Sequence, residues 1–238
     1  MKLVKLFIVL FLIQAIITIK ISRKNGDDCD TETKKIKNKE YTCIKKLGSG
    51  VQGKVYLVKD SAGKQYAFKQ TIDEDLENIK KNLKIYEAYK NVNSKYVMKI
   101  YEVSMKMSNS EVNGKKRANL KLLLEPINGG ILFDYKFKSG SDVLEKYLML
   151  VKGLVDLDKA RILHKDIKSD NIMIDDTTGD LKIIDFDNSL LLSKNPEEVK
   201  EVLNNTKYQQ MRESIYNFLS TTFGNVPHYD YTLSKDSD

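Results

Sequence analysis

Cysteine and histidine are scarce in this chain: two of each stand among 238 residues, and they lie far apart. A zinc-type site groups its ligands within a few positions of one another, so no metal centre can be built from these residues. Basic blocks are also missing. Lysine and arginine outnumber acids 40 to 33, for a net charge of +7, but acids are interspersed among them throughout, which argues against a nucleic-acid partner. Beyond the N-terminus there is no long apolar run, and no internal repeat is present. What the chain does have is 41% hydrophobic and 31% charged residues. That composition supports one domain, or two small lobes, with a real core rather than a disordered polymer.

The N-terminus stands apart. Lys2 and Lys5 precede an uncharged stretch from Leu6 to Ile19, followed by Lys20, Arg23 and Lys24. This layout is that of a secretory signal peptide over residues 1–22, with an uncleaved signal anchor as the alternative because no small-x-small cleavage pair is visible. The apolar run falls short of the ~20 residues of a usual spanning helix. The expected location is the secretory pathway, secreted or vacuolar, or alternatively anchored to a membrane; contact with a membrane is expected only in the anchored case. Two readings stay open for Cys29 and Cys43: a disulfide in an oxidising compartment, or a free thiol and a buried strand residue. Asn204 opens a glycosylation sequon that matters only on the secretory route.

Residues 23–40 hold almost no apolar side chains and read as a polar linker. From Tyr41 the pattern is β-rich, with three short strands, the last two joined by a tight turn at Gly63. An amphipathic helix follows, with Leu76, Ile79, Leu83, Tyr86 and Tyr89 or Lys90 at spacings of three and four. Two more strands come next, separated by the polar loop 108–117. After Asn128-Gly129-Gly130 the chain turns helical, with a long helix carrying Val143, Leu144, Tyr147, Leu148, Val151, Leu154, Val155 and Leu157. Two short strands around a Thr-Gly turn and two further helical stretches complete it. The expectation is an α+β architecture: residues 41–127 form a five-stranded, β-rich lobe with one helix, and 128–238 a mainly helical one.

Three stretches carry chemistry. "GSGVQGKV" (48–55) offers glycines at 48, 50 and 53 that let backbone approach phosphate oxygens closely; it lies between two strands rather than between strand and helix. "YAFK" places Lys69 on the third strand behind apolar Ala67 and Phe68. "HKDIKSDN" (164–171) and "IIDFD" (183–187) pack acids around two short apolar runs. In order and spacing these resemble the motifs of the eukaryotic protein kinase family: the glycine-rich loop, the third-strand lysine, the catalytic loop and the metal-binding segment. The resemblance covers residues 41 to about 190 and leans to the serine/threonine-specific branch, because Lys168 stands in the catalytic loop. It implies a bilobal protein-kinase-like fold with a shortened C-terminal lobe.

The same resemblance implies the roles. Phosphoryl transfer needs cations for the phosphates, oxygens for metal and a carboxylate beside the attacking hydroxyl. ATP and magnesium, with manganese possible in its place, would be the cofactors, and a protein the acceptor. Asp166 would be the catalytic base, Lys168 would contact the γ-phosphate and Lys69 the α and β phosphates. Asn171 and Asp185 would hold the metal. Gly48, Ser49, Gly50, Val51, Gly53, Val55 and Ala67 would enclose the nucleotide with Leu124 as gatekeeper and Glu125 to Ile127 as hinge. Glu87 would be the helix carboxylate that pairs with Lys69, with Glu77 as the alternative. His164 would pack beneath Phe186.

The chain departs from the family pattern in three places. Asp187 stands where the metal segment normally has glycine. Lys165 replaces the arginine that grips a phosphorylated activation loop, and lysine is a poorer bidentate partner. Only 51 residues follow Asp187, and they lack a recognisable long activation segment or peptide platform. Two readings follow: a compact serine/threonine kinase, and a pseudokinase that binds nucleotide or a partner without transfer. A missing platform also admits small-molecule acceptors.

Overall fold

The structure, a computed structural model, describes residues 29–204 and 217–224. The leader at 1–22 lies outside the described residues, among which no helix is long and apolar enough to cross a membrane. The first lobe is built from β1 (Thr33–Ile36), β2 (Lys39–Gly50), β3 (Gly53–Lys59), β4 (Gln65–Thr71), β5 (Glu74–Asp75), α1 (Leu76–Tyr89), β6 (Ile100–Val112) and β7 (Lys115–Leu124). Its sheet runs β1-β2-β3-β4-β7-β5, with β6 on β7. The sheet therefore has seven strands where five were expected, β1 and β5 being the additions.

The segment 23–40 is not simply a linker: from Cys29 onward it is folded against the sheet. A disulfide joins Cys29 to Cys43, Ile36 is buried, and β1 pairs with β2 from Thr33↔Thr42 to Ile36↔Lys39. Its polar composition concealed this because Lys34 is buried too, its ammonium paired with Asp30 and lying 3.8 Å over the Tyr56 ring. A lysine stem can cover apolar surface while its charge is matched locally. The polar stretch 108–117 likewise belongs mostly to strands. Asn113 and Gly114 both have positive φ (53° and 72°), the conformation of a tight two-residue hairpin turn, and β6 and β7 extend up to it.

Helix α1 starts at Asp75, whose carboxylate accepts from the Glu77 N–H at 2.9 Å, and it buries Ile79, Ile85, Tyr86 and Tyr89. The second lobe comprises β8 (Gly129–Ile131), α2 (Gly140–Lys159), β9 (Ile162–Leu163), β10 (Ile172–Asp175), β11 (Leu181–Ile183), β12 (Leu190–Leu191) and α3 (Pro196–Asn204), with residues 217–223 helical as well. The remainder of the stretch 208–224, read as one helix from its sequence pattern, lies outside the described residues. Ser139 caps α2, accepting from the Asp142 N–H. One apolar cluster joins the lobes, from Ala67, Tyr86 and Leu124 above to Leu150, Ile172, Ile183 and Phe186 below. The fold is α+β with two lobes meeting at a cleft.

Candidate active site

The β2–β3 turn is a tight, glycine-rich hairpin. Gly48 pairs with Val55 and Gly50 with Gly53 across the hairpin, leaving Val51 and Gln52 at its tip, where Val51 is 92% exposed. A Cβ on Gly48 or Gly50 would meet nothing within 4 Å, whereas one on Gly53 (φ +138°) would come 2.1 Å from the Gln70 carbonyl oxygen. Gly53 thus answers to the backbone of β4, while Gly48 and Gly50 leave open space along the hairpin. Ser49 lies between them opposite Lys54.

The next strands line the wall. Val55 lies opposite Lys69, and Ala67 opposite Leu124, so the turn, the lysine and the expected gatekeeper follow from one register. Ala67 and Leu124 are buried. Glu125 is tied down: its N–H donates to Lys99 O at 2.8 Å and its carboxylate accepts from Lys99 N–H and from Lys182 Nζ at 2.8 Å.

Below, His164 presents Nε2 to Ile184 O at 2.9 Å, and its ring meets Phe186 edge-on at 4.7 Å. Phe186 in turn lies 3.8 Å from Tyr89 of α1. His164 packs against Phe186 as expected, and burial lowers its pKa. The Asp166 carboxylate accepts at Oδ2 from Lys168 Nζ (3.0 Å), Asn171 Nδ2 (2.9 Å) and Asn188 Nδ2 (3.4 Å). Burial opposes its charge, but those donors prevail and hold its pKa below the usual carboxylate range. The same pairing raises that of Lys168. Lys165 and Asp185 both have positive φ, 67° and 61°, a conformation that non-glycine residues adopt mainly where surrounding structure enforces it, typically at functional sites.

The largest surprise surrounds Lys69. Glu87, expected as its partner, is an exposed residue paired with Lys90 at 3.5 Å, and Glu77 pairs with Lys80 at 2.7 Å. Neither reaches the cleft, because both sit off the face of α1 that buries Ile79, Ile85, Tyr86 and Tyr89. Lys69 Nζ instead donates to Asp185 Oδ1 at 3.1 Å and to Asp187 Oδ2 at 2.6 Å. The Tyr86 hydroxyl donates to the other Asp187 oxygen. Burial alone would lower the Lys69 pKa, but the charges of Asp187 and then Asp185 more than offset it and leave it raised. Tyr86, fully enclosed and facing Asp187, has its pKa pushed well above the ordinary value and remains a phenol donor. The role of Tyr86 was missed by sequence reasoning; the helical phase was the available signal, since at 3.6 residues per turn Glu87 falls on the side of the helix away from Ile79, Ile85 and Tyr89.

The donor set suits a hard cation. Asn171 commits its amide nitrogen to Asp166 O and Oδ2, so its amide oxygen is the atom left for metal, and Asp185 supplies a carboxylate. Among the described residues no cluster of three or more His, Cys, Asp or Glu forms a metal cage. Magnesium commonly does without one, taking one or two carboxylates together with phosphate oxygens and water.

Comparison with known proteins agrees with this geometry. The protein kinase domain matches residues 41–211. Glycogen synthase kinase 1 of Pyricularia oryzae is 27% identical over 201 residues, covering 82% of this chain and 48% of that protein. A serine/threonine-protein kinase of Schizosaccharomyces pombe is 28% identical over 185 residues, covering 74% and 17% respectively. A probable serine/threonine-protein kinase of Dictyostelium discoideum is 25% identical over 198 residues, 77% of this chain and 16% of that one. The chain spans less than half the length of these relatives. With the domain match extending over most of its length, the chain belongs to the eukaryotic protein kinase family, with relatives of the serine/threonine type.

Proposed function

We propose that this protein transfers the γ-phosphoryl group of ATP to serine or threonine hydroxyls of a protein substrate. The observation that carries this reading is the convergence of Lys69, Asp166, Lys168, Asn171 and Asp185, from three separate sequence segments, in a fold whose β2–β3 glycine turn leaves open space along it. In the reaction the bond between the β,γ-bridging oxygen and the γ-phosphorus breaks, the acceptor oxygen bonds to that phosphorus, and ADP leaves. The acceptor's proton passes to Asp166. Its Oδ2 is held by Lys168, Asn171 and Asn188, so Oδ1 is the oxygen that faces the hydroxyl. With its pKa lowered, Asp166 is ionised at neutral pH but weakly basic, which fits a loose transition state in which the proton moves late and positioning dominates. Lys168 lies beside the base to meet the γ-phosphate, and Lys69 meets the α and β phosphates. Asp185 and Asn171 would hold magnesium, or manganese in its place, which would neutralise phosphate charge. Leu124, Ala67, Val55 and the Glu125–Ile127 backbone would enclose the base.

One observation favours a second reading, a nucleotide-binding pseudokinase. Lys69 already contacts two carboxylates, and Asp187 adds negative charge where phosphates would bind. For location, we infer the secretory pathway, secreted or vacuolar, with membrane anchoring as the alternative. The Cys29–Cys43 disulfide supports this, because such bonds persist in oxidising compartments, and the leader pattern agrees.

The experiment is transfer of labelled γ-phosphate from magnesium-ATP to a generic basic protein and to the chain itself, beside an Asp166→Asn variant. Transfer that disappears in the variant is the expected result. No transfer, with ATP still raising the melting temperature, establishes the pseudokinase instead.

A further inference from the structure

We propose that Asp187, braced by Tyr86, is the residue that positions Lys69 for the phosphates, in place of a carboxylate on α1. The inference rests on the kinase reading above and deepens it. The face of α1 turned to the cleft carries Ile79, Ile85, Tyr86 and Tyr89 and no acid. A buried ammonium without a fixed anionic partner would be both costly and free to swing. Asp187 removes both problems: one carboxylate oxygen takes Lys69 Nζ at 2.6 Å and the other takes the Tyr86 hydroxyl. The side chains of Lys69 and Asp187 are only 13% and 16% exposed, so the bond acts where water screens it little. Tyr86 donates from the buried face of α1, so helix, acid and lysine form one chain of contacts.

Asp185 contacts Lys69 as well, at 3.1 Å, but it is also the metal-binding candidate. Two acids with separate tasks resolve that conflict. Asp187 stays on the lysine, while Asp185 turns to the cation when nucleotide enters. The arrangement also changes how the site is assembled. Lys69 is oriented by the segment that carries Asp185, not by an acid that arrives with a moving helix. Organisation of the metal segment and of the lysine is then a single event, in keeping with Lys165 standing where a phosphate-gripping arginine would be.

The test compares binding of ATP and of adenosine, without metal, by calorimetry for the wild type, Asp187→Asn, Asp187→Gly and the double variant Asp187→Gly with Tyr86→Glu. Adenosine lacks phosphates, so its affinity reports the integrity of the fold and base pocket alone. Loss of a charge-assisted bond predicts about a tenfold to hundredfold weaker ATP binding in both single variants, with adenosine affinity unchanged. The double variant, which returns a carboxylate to the helix, should recover most of the ATP affinity and, in an active enzyme, most of kcat/KM. ATP affinity equal to or above wild type in Asp187→Gly would overturn the proposal and make Asp187 a competitor of the phosphates. Equal loss of ATP and adenosine affinity would also overturn it, by making Asp187 merely structural. A wild type that binds ATP but transfers nothing refutes the enzyme reading and leaves this inference standing or falling on its own binding data.

Discussion

Alanine in place of each glycine of the β2–β3 turn separates architecture from nucleotide recognition. At Gly53 the φ of +138° is one that side-chain-bearing residues rarely adopt, and the new Cβ would sit 2.1 Å from Gln70 O and 2.8 Å from Thr71 Cα. Those are backbone atoms of β4, so relief requires moving a strand. Unfavourable φ by itself costs about 1–3 kcal/mol, and the clash adds to it, giving an expected loss of about 3 kcal/mol. For a domain of this size that lowers the melting temperature by roughly 6–12 °C. Gln70 adjoins Lys69, so the distortion also reaches the site. At Gly48 and Gly50 a Cβ meets nothing within 4 Å, and the melting temperature of the free protein should stay within about 2 °C of wild type, the range of an unobtrusive surface change. The methyl there intrudes on the space through which phosphates approach backbone, so the rise in melting temperature on adding magnesium-ATP should shrink. Thermal denaturation of the three variants with and without nucleotide reads both effects. A Gly53→Ala variant as stable as wild type would refute the steric argument. Undiminished ATP stabilisation in both Gly48→Ala and Gly50→Ala would refute the assignment of the turn to phosphate.

Two further outcomes follow from the first lobe. The Cys29–Cys43 bond closes a loop with a sequence separation of 14, and loss of such a constraint costs about 3 kcal/mol; reduction should lower the denaturation midpoint accordingly, and an unchanged midpoint would show that β1 is held without it. Glu102 has its pKa lowered to about 2, because Lys37 at 2.7 Å, Lys90 at 3.0 Å and the Val103 N–H outweigh the opposing effect of burial. Its folded-state pKa lies below the ordinary value of 4.5, so its contribution to stability is complete above that pH and declines as pH falls toward 2. Glu102→Gln should flatten the acid limb of the stability profile in that window, and an unaltered slope would place the acid sensitivity elsewhere.

Much of the site was legible because its chemistry is written in short local stretches. The acids and the asparagine of 164–171 lie on one loop, and Ala67, Phe68 and Lys69 share one strand, so residue type and spacing were sufficient to mark them as candidates. Periodicity also gave the buried face of α1. The same periodicity puts Glu87 on the far side of the helix from Ile79, Ile85 and Tyr89. Sequence alone leaves the disulfide open, because pairing of Cys29 with Cys43 depends on where an unremarkable polar segment folds. The burial of Lys34 was not readable at all, since its partners Asp30 and Tyr56 meet it only after β1 docks on β2.

The amino-acid sequence by itself determined the family and the two-lobed α+β architecture, and it supplied Lys69, Asp166, Lys168, Asn171 and Asp185 as the candidates for the proposed chemistry. Local patterns suffice for these, because turns, strands and catalytic loops impose residue types over a few positions. Only the tertiary structure decided which carboxylate meets Lys69. That contact bridges 118 positions of chain and goes with the packing of Phe186 between Tyr89 and His164, which sets the segment 183–187 against α1. A charge finds its partner through space, and the nearest acid in the fold was one that the family pattern had marked only as a departure.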